Sequence, residues 1–237
     1  MGENRFYREW VDSGLVSFTA RVAESDIYIS AEEDLKSEAE RLIRKYRYDI
    51  EEHIRRDPEF KTSLKPLPPD DEAPSIVKSM LNAGKLTGVG PMAAVAGAIS
   101  EYVGKGLLDS TRQIILENGG DIFIKTDIER KATVYAGQSP LSGKISIKID
   151  PGYTPLGICT SSGTVGHSLS FGKADAVCVI SQDTALADAC ATATCNMVRG
   201  EGDIEEALDF AKKIEGIIGA VVIYGKKLGV RGDVEIA

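Results

Sequence analysis

Ala187-Asp188-Ala189-Cys190-Ala191-Thr192-Ala193 is the stretch on which the reading of this chain turns. It lies within a segment, 183–197, whose composition predicts a helix. Asp188 and Thr192 stand four apart, so a helix places both side chains on one face. Two oxygen ligands at that spacing suit a hard cation such as Mg²⁺, with water or phosphate oxygens completing the shell. The alanines around them let another backbone or a ligand approach closely. The same pattern also fits a tightly packed Ala-rich helix carrying an incidental Asp and Thr. Spacing alone leaves both readings open.

Three other stretches carry candidate chemistry. Asn118-Gly119-Gly120-Asp121 lies between two alternating runs, 113–117 and 121–125. Two glycines tolerate positive φ, which predicts a hairpin turn. Their exposed N–H groups also suit a phosphate or ribose. Thr87-Gly88-Val89-Gly90-Pro91 precedes a predicted helix over 91–102 that contains Gly97. A glycine-rich loop at a helix start fits an anion or close helix packing. It is neither a P-loop, for it lacks the Gly-Lys-Ser/Thr ending, nor a Rossmann fingerprint. Cys159-Thr160-Ser161-Ser162-Gly163-Thr164-Val165-Gly166-His167-Ser168 gathers hydroxyls, glycines, a thiol and one of two histidines in a predicted loop. The other histidine, His53, sits among charges and is expected to be exposed.

Around these stretches the periodicity is mixed. Residues 15–22 and 26–30 alternate as a strand pair. An amphipathic helix follows over 32–56, with Leu35, Ala39, Leu42, Ile43, Tyr46, Ile50 and Ile54 on one stripe. The segment 61–74 holds four prolines and reads as an extended loop. A helix is expected at 75–82. Strands are expected at 132–136 and 144–150, continuing the sheet of the hairpin, and at 174–181. After the helix at 183–197 come a helix at 203–214 and strands at 218–224 and 230–236.

The chain of 237 residues is expected to form one domain with a substantial core. Its net charge of −8 argues against sequence-independent nucleic-acid binding, which needs a basic surface. No apolar leader follows Met1, and the longest apolar run is too short to span a bilayer. A cytoplasmic location without membrane contact is the expectation. The four cysteines, Cys159, Cys178, Cys190 and Cys195, form no CxxC pair, and buried reduced thiols are expected.

Taken in order, these stretches resemble the ApbE-like superfamily, best known for FAD:protein FMN transferases. Asn118-Gly119-Gly120-Asp121 is similar to that family's N-x-G-G-D turn. Ser162-Gly163 is similar to its T-S-G loop, and 187–193 to its A-D-A-L-A-T-A helix. The resemblance covers about 87–197. It implies a single-domain α+β fold over 1–237, mostly antiparallel sheet with packed helices and an internal pseudo-duplication. It implies Mg²⁺ on Asp188 and Thr192, with Asp188 also catalytic and a backbone carbonyl near Gly90 as a further ligand. It implies FAD or FMN held by Asn118, Gly119, Gly120, Asp121, Ser161, Ser162 and Gly163, and a protein acceptor.

The departures are specific. The transferases carry H-I-I-D-P after the T-S-G loop, whereas His167 is followed here by Ser168-Leu169-Ser170. Their I-A-K-G loop reads Val89-Gly90-Pro91-Met92, without the lysine. The match is to a short branch of the superfamily, which has been associated with sulfide assimilation into homocysteine. Two active roles follow: Mg²⁺-dependent flavin nucleotide binding or transfer, or a non-flavin sulfur-carrying factor. For the second, Cys159 would be the thiol, partly exposed and thiolate-prone near His167. A third role keeps the ligand site without catalysis. The apolar C-terminal strands suggest pairing across a homodimer.

Overall fold

The computed structural model describes residues 13–164 and 170–237. Its first half begins with a hairpin of β1 (Val16–Val22) and β2 (Ser25–Ala31) and ends with a hairpin of β3 (Ile114–Asn118) and β4 (Asp121–Lys125). Between them run α1 (Lys36–Arg56), the short α2 (Glu59–Thr62), α3 (Ser75–Thr87) and α4 (Val95–Leu107). A 3-10 turn over Pro91–Ala94 leads into α4, with Pro91 in its first turn, where its missing N–H is no loss.

The second half repeats this plan. β7 (Leu156–Ser161) and β8 (Ala176–Ser181) come first, then α5 (Thr184–Met197) and α6 (Ile204–Lys213), then β9 (Ile217–Tyr224) and β10 (Lys227–Gly232). The main sheet runs β1-β2-β3-β4-β7-β8-β9-β10, every neighbouring pair antiparallel. The chain is therefore a single α+β unit, and each half is hairpin, helices, hairpin.

The expected strands at 132–136 and 144–150 do not extend this sheet. They form β5 (Arg130–Thr133) and β6 (Ser146–Ile149), a separate two-stranded sheet. Ile147 and Ile149 pack with Ile158, Cys178, Ile180, Val221 and Ile223. The alternate residues Cys159, Val177, Val179, Ala220 and Val222 face the helices. The strands of the second half are thus covered on both faces, which is why β8 is buried along its whole length. That periodicity predicts strands but does not say which sheet they join.

Two further expectations are corrected. Residues 156–161 are a strand where a loop was expected at 159–161, so Cys159 sits at the centre of the sheet. His53 is buried, not exposed: α2 and the loop after it fold back, placing the His53 ring edge-on to Phe60 at 4.8 Å and its Nδ1 3.8 Å from Asp70. Among the described residues no helix is long and apolar enough to cross a membrane.

Candidate functional site

The two halves meet where α4 packs against α5. Gly97 makes this contact: a Cβ there would lie 2.4 Å from the Thr184 carbonyl oxygen and 2.7 Å from Asp188 Cβ. With no side chain in the way, the Gly97 N–H donates to Asp188 Oδ2 at 2.8 Å. The first turn of α4 has no capping side chain of its own, so Asp188 satisfies an otherwise orphaned donor from a neighbouring helix. The α5 N-terminus is held in the same manner. The Thr184 and Ala185 N–H groups donate to the buried Glu101 carboxylate of α4 at 2.7 and 3.3 Å, and Asp183 caps Leu186 at 2.8 Å.

One turn beyond Asp188, the Thr192 hydroxyl lies 3.0 Å from Ser161 Oγ at the end of β7. Asp121 enters from the start of β4, aimed by the two-residue turn whose Gly119 and Gly120 have φ of +69° and +107°. Asp121, Asp188, Thr192 and Gly90 line one cleft of about 330 Å³, at the lower end of small-molecule sites. Lys61, Leu64 and Phe171 border it.

Electrostatics in the cleft are unusual. Asp188 is almost fully buried, and that burial raises its carboxyl from the usual 3.8 to about 7, against the opposing pull of the Gly97 and Ala96 N–H groups. Asp121 is pushed well above the usual carboxylate range by burial first and by the Asp188 charge second. One of its oxygens, Oδ1, is buried without a hydrogen-bond partner among the described residues.

The remaining expected residues have other places. Asn118 donates to the Ala96 carbonyl at 3.2 Å, tying the hairpin to α4, and Gly119 and Gly120 make the turn. None of the three lines the cleft. Gly90 is glycine for packing: a Cβ would overlap the Ser63 carbonyl, and its own carbonyl accepts from Ala93 at 3.1 Å. Gly88 caps α3 in the left-handed conformation, φ +77°. Ser162 accepts from the Thr164 N–H at 3.1 Å, and Gly163 packs against the Gly172 backbone. His167 lies outside the described residues.

Cys159 does not meet the expectation of an exposed thiolate. It has no exposed surface, contacts the Thr184 carbonyl at 3.4 Å, and its thiol is pushed well above the usual range by burial and then by the Asp121 and Asp188 charges. Cys178, Cys190 and Cys195 are also buried and unpaired.

Phe171 is the residue that pattern reading missed. Its ring is 57% exposed at the cleft rim. Its backbone is fixed, because the Phe171 N–H donates to Asn196 Oδ1 at 2.7 Å and the Lys173 N–H to the Val198 carbonyl at 2.7 Å. Gly172 permits this, for a Cβ would overlap the Cys195 carbonyl oxygen. The sequence signal was an aromatic followed by glycine in a polar loop, which is common.

A family profile described as "AbpE bacteria" matches residues 8–236. The chain belongs to this family. A UPF0280 protein of Methanocaldococcus jannaschii is 43% identical over 201 residues, covering 83% of this chain and 82% of that protein. A UPF0280 protein of Methanococcus aeolicus is 42% identical over 219 residues, covering 90% and 88%. Among solved structures, the fold is similar to the ApbE protein of Thermotoga maritima, with a TM-score of 0.60 at 11% identity over 92% of this chain and 97% of that one. It is also similar to the apo flavinyl transferase ApbE of Pseudomonas stutzeri, with a TM-score of 0.55 at 14% identity over 92% and 93%. The chain is an ApbE-like protein in fold and in family.

Proposed function

We propose that this protein binds a flavin nucleotide together with Mg²⁺ in the cleft, and transfers the FMN part of FAD to a hydroxyl of a protein acceptor. The observation that supports this most is that Asp188 and Thr192 share a cleft with Asp121, while Lys61 is the only basic side chain lining it among the described residues. Two carboxylates alone repel a diphosphate. A divalent cation between them cancels that charge and removes the repulsion, and the oxygen donors present suit a hard one.

Mg²⁺ bound there supplies charge neutralisation at the phosphate oxygens. Asp188 and Thr192 would hold it, with the Gly90 carbonyl beside them. The Gly97 N–H fixes the Asp188 carboxylate in place. In the transfer, an acceptor oxygen bonds to the FMN phosphorus as the bond from that phosphorus to AMP breaks, and Asp188 takes the acceptor's proton. Phe171 offers an exposed aromatic face on an anchored backbone to a flavin or adenine ring at the rim. The cleft is small for a dinucleotide, so part of the ligand would lie along that rim.

Incubation of the protein with FAD, Mg²⁺ and a hydroxyl-bearing acceptor protein, followed by chromatography, tests this reading. Release of AMP with flavin carried by the acceptor, abolished in Asp188→Asn, is the expected result. FAD binding without AMP release would leave a ligand-binding protein, and no binding would remove flavin from the account.

A further inference from the structure

Asp121 resembles a nucleotide contact by its motif, but its surroundings assign it differently. We propose that Asp121 is a direct ligand of the divalent cation, sharing it with Asp188 across the cleft. This rests on the cation reading above and deepens it.

The first observation is the orphaned oxygen. Asp121 is only 6% exposed, lines the cleft, and its Oδ1 is fully buried with no hydrogen-bond partner among the described residues. The Cys159 thiol and the Thr160 N–H lie against this carboxylate, yet Oδ1 has no hydrogen bond, and a buried carboxylate oxygen left so is costly and suits a further group. The second is the lack of a buried pairing cation among the described residues. Among the described residues Lys61 is the one basic side chain lining the cleft, and it is exposed. The third is convergence from rigid elements. Asp121 is the first residue of β4, held by a two-residue turn, and Asp188 is fixed by the Gly97 N–H.

Two carboxylates match the charge of one divalent ion. No group of three or more His, Cys, Asp or Glu side chains with metal-holding geometry occurs among the described residues. The shell would therefore be completed by the Thr192 hydroxyl, water and ligand phosphate. Such a partly hydrated site is what Mg²⁺ favours. A ribose hydroxyl donating to Oδ1, or a proton shared by the two carboxylates, would satisfy the same oxygen, and the test separates these.

Mn²⁺ serves as the probe, its free concentration read by electron paramagnetic resonance without flavin at mildly alkaline pH. FAD binding is measured separately in EDTA. The wild type is expected to bind Mn²⁺, and Asp121→Asn to weaken that binding at least about tenfold while leaving metal-free FAD binding unchanged. The melting temperature of metal-free Asp121→Asn should equal or exceed that of the wild type, because a buried like charge is removed. Full Mn²⁺ affinity in Asp121→Asn, with loss in Asp188→Asn, would overturn the Asp121 assignment and leave the cation reading standing. A wild type that binds no Mn²⁺ would overturn both. Mn²⁺ binding lost in Asp121→Asn, in a protein that never binds FAD, would keep this assignment and remove flavin.

Discussion

The Asp188 carboxylate uses Oδ2 to accept from Gly97 in the first turn of α4, so even a non-catalytic protein would benefit from it. Its titration near 7 distinguishes it from an ordinary cap. The folded protein binds this proton more tightly than the unfolded chain. Without metal, the stability this contributes is fully present below about pH 4 and is lost as pH rises to about 7, on the order of 4 kcal/mol. Denaturant titrations in EDTA across that range should show the decline. Asp188→Asn should reduce it to the part that the buried Asp121 contributes, and Mg²⁺ should restore stability at the alkaline end by binding only the folded state. At the rim, Phe171→Ala should weaken FAD binding by about three- to tenfold in fluorescence titrations, the scale of one aromatic contact, and leave Mn²⁺ binding unchanged.

The α4–α5 crossing decides whether the site exists, and it depends on one missing side chain. Gly97→Ala would put a methyl group within 2.4 Å of the Thr184 carbonyl, so the helices must separate. Thermal unfolding should show a loss of about 1–3 kcal/mol, and the Gly97 N–H should move off Asp188. Much of this level was legible in the sequence. The Asn118-Gly119-Gly120-Asp121 turn, the Pro91 helix start and the face shared by Asp188 and Thr192 follow from local rules, and all are present. What was not legible depends on tertiary contacts. Cys159-Thr160-Ser161 reads as a loop by composition, yet it belongs to a central strand because helices cover one face and β6 the other. Phe171 and the orphaned Asp121 oxygen are visible only once β4, α5 and the loop before β8 are brought together.

Across the whole molecule, the repeated hairpin–helix–hairpin plan places one wall of the cleft in each half: Gly90 and Asp121 from the first, Asp188 and Thr192 from the second. It also seals the sulfur chemistry inside. All four cysteines are buried, so Ellman's reagent should find no fast-reacting thiol in the native protein and four after denaturation. A fast native reaction at Cys159 would revive a sulfur-carrying role. The central claim is that a divalent cation strengthens the hold of the cleft on a flavin nucleotide. Fluorescence anisotropy of FAD titrated with protein, in Mg²⁺ and in EDTA, tests it most directly. The account predicts binding in Mg²⁺ that weakens at least about tenfold in EDTA and equally in Asp188→Asn, which retains an acceptor for Gly97. Equal affinity with and without the cation, or no binding under either condition, would contradict it.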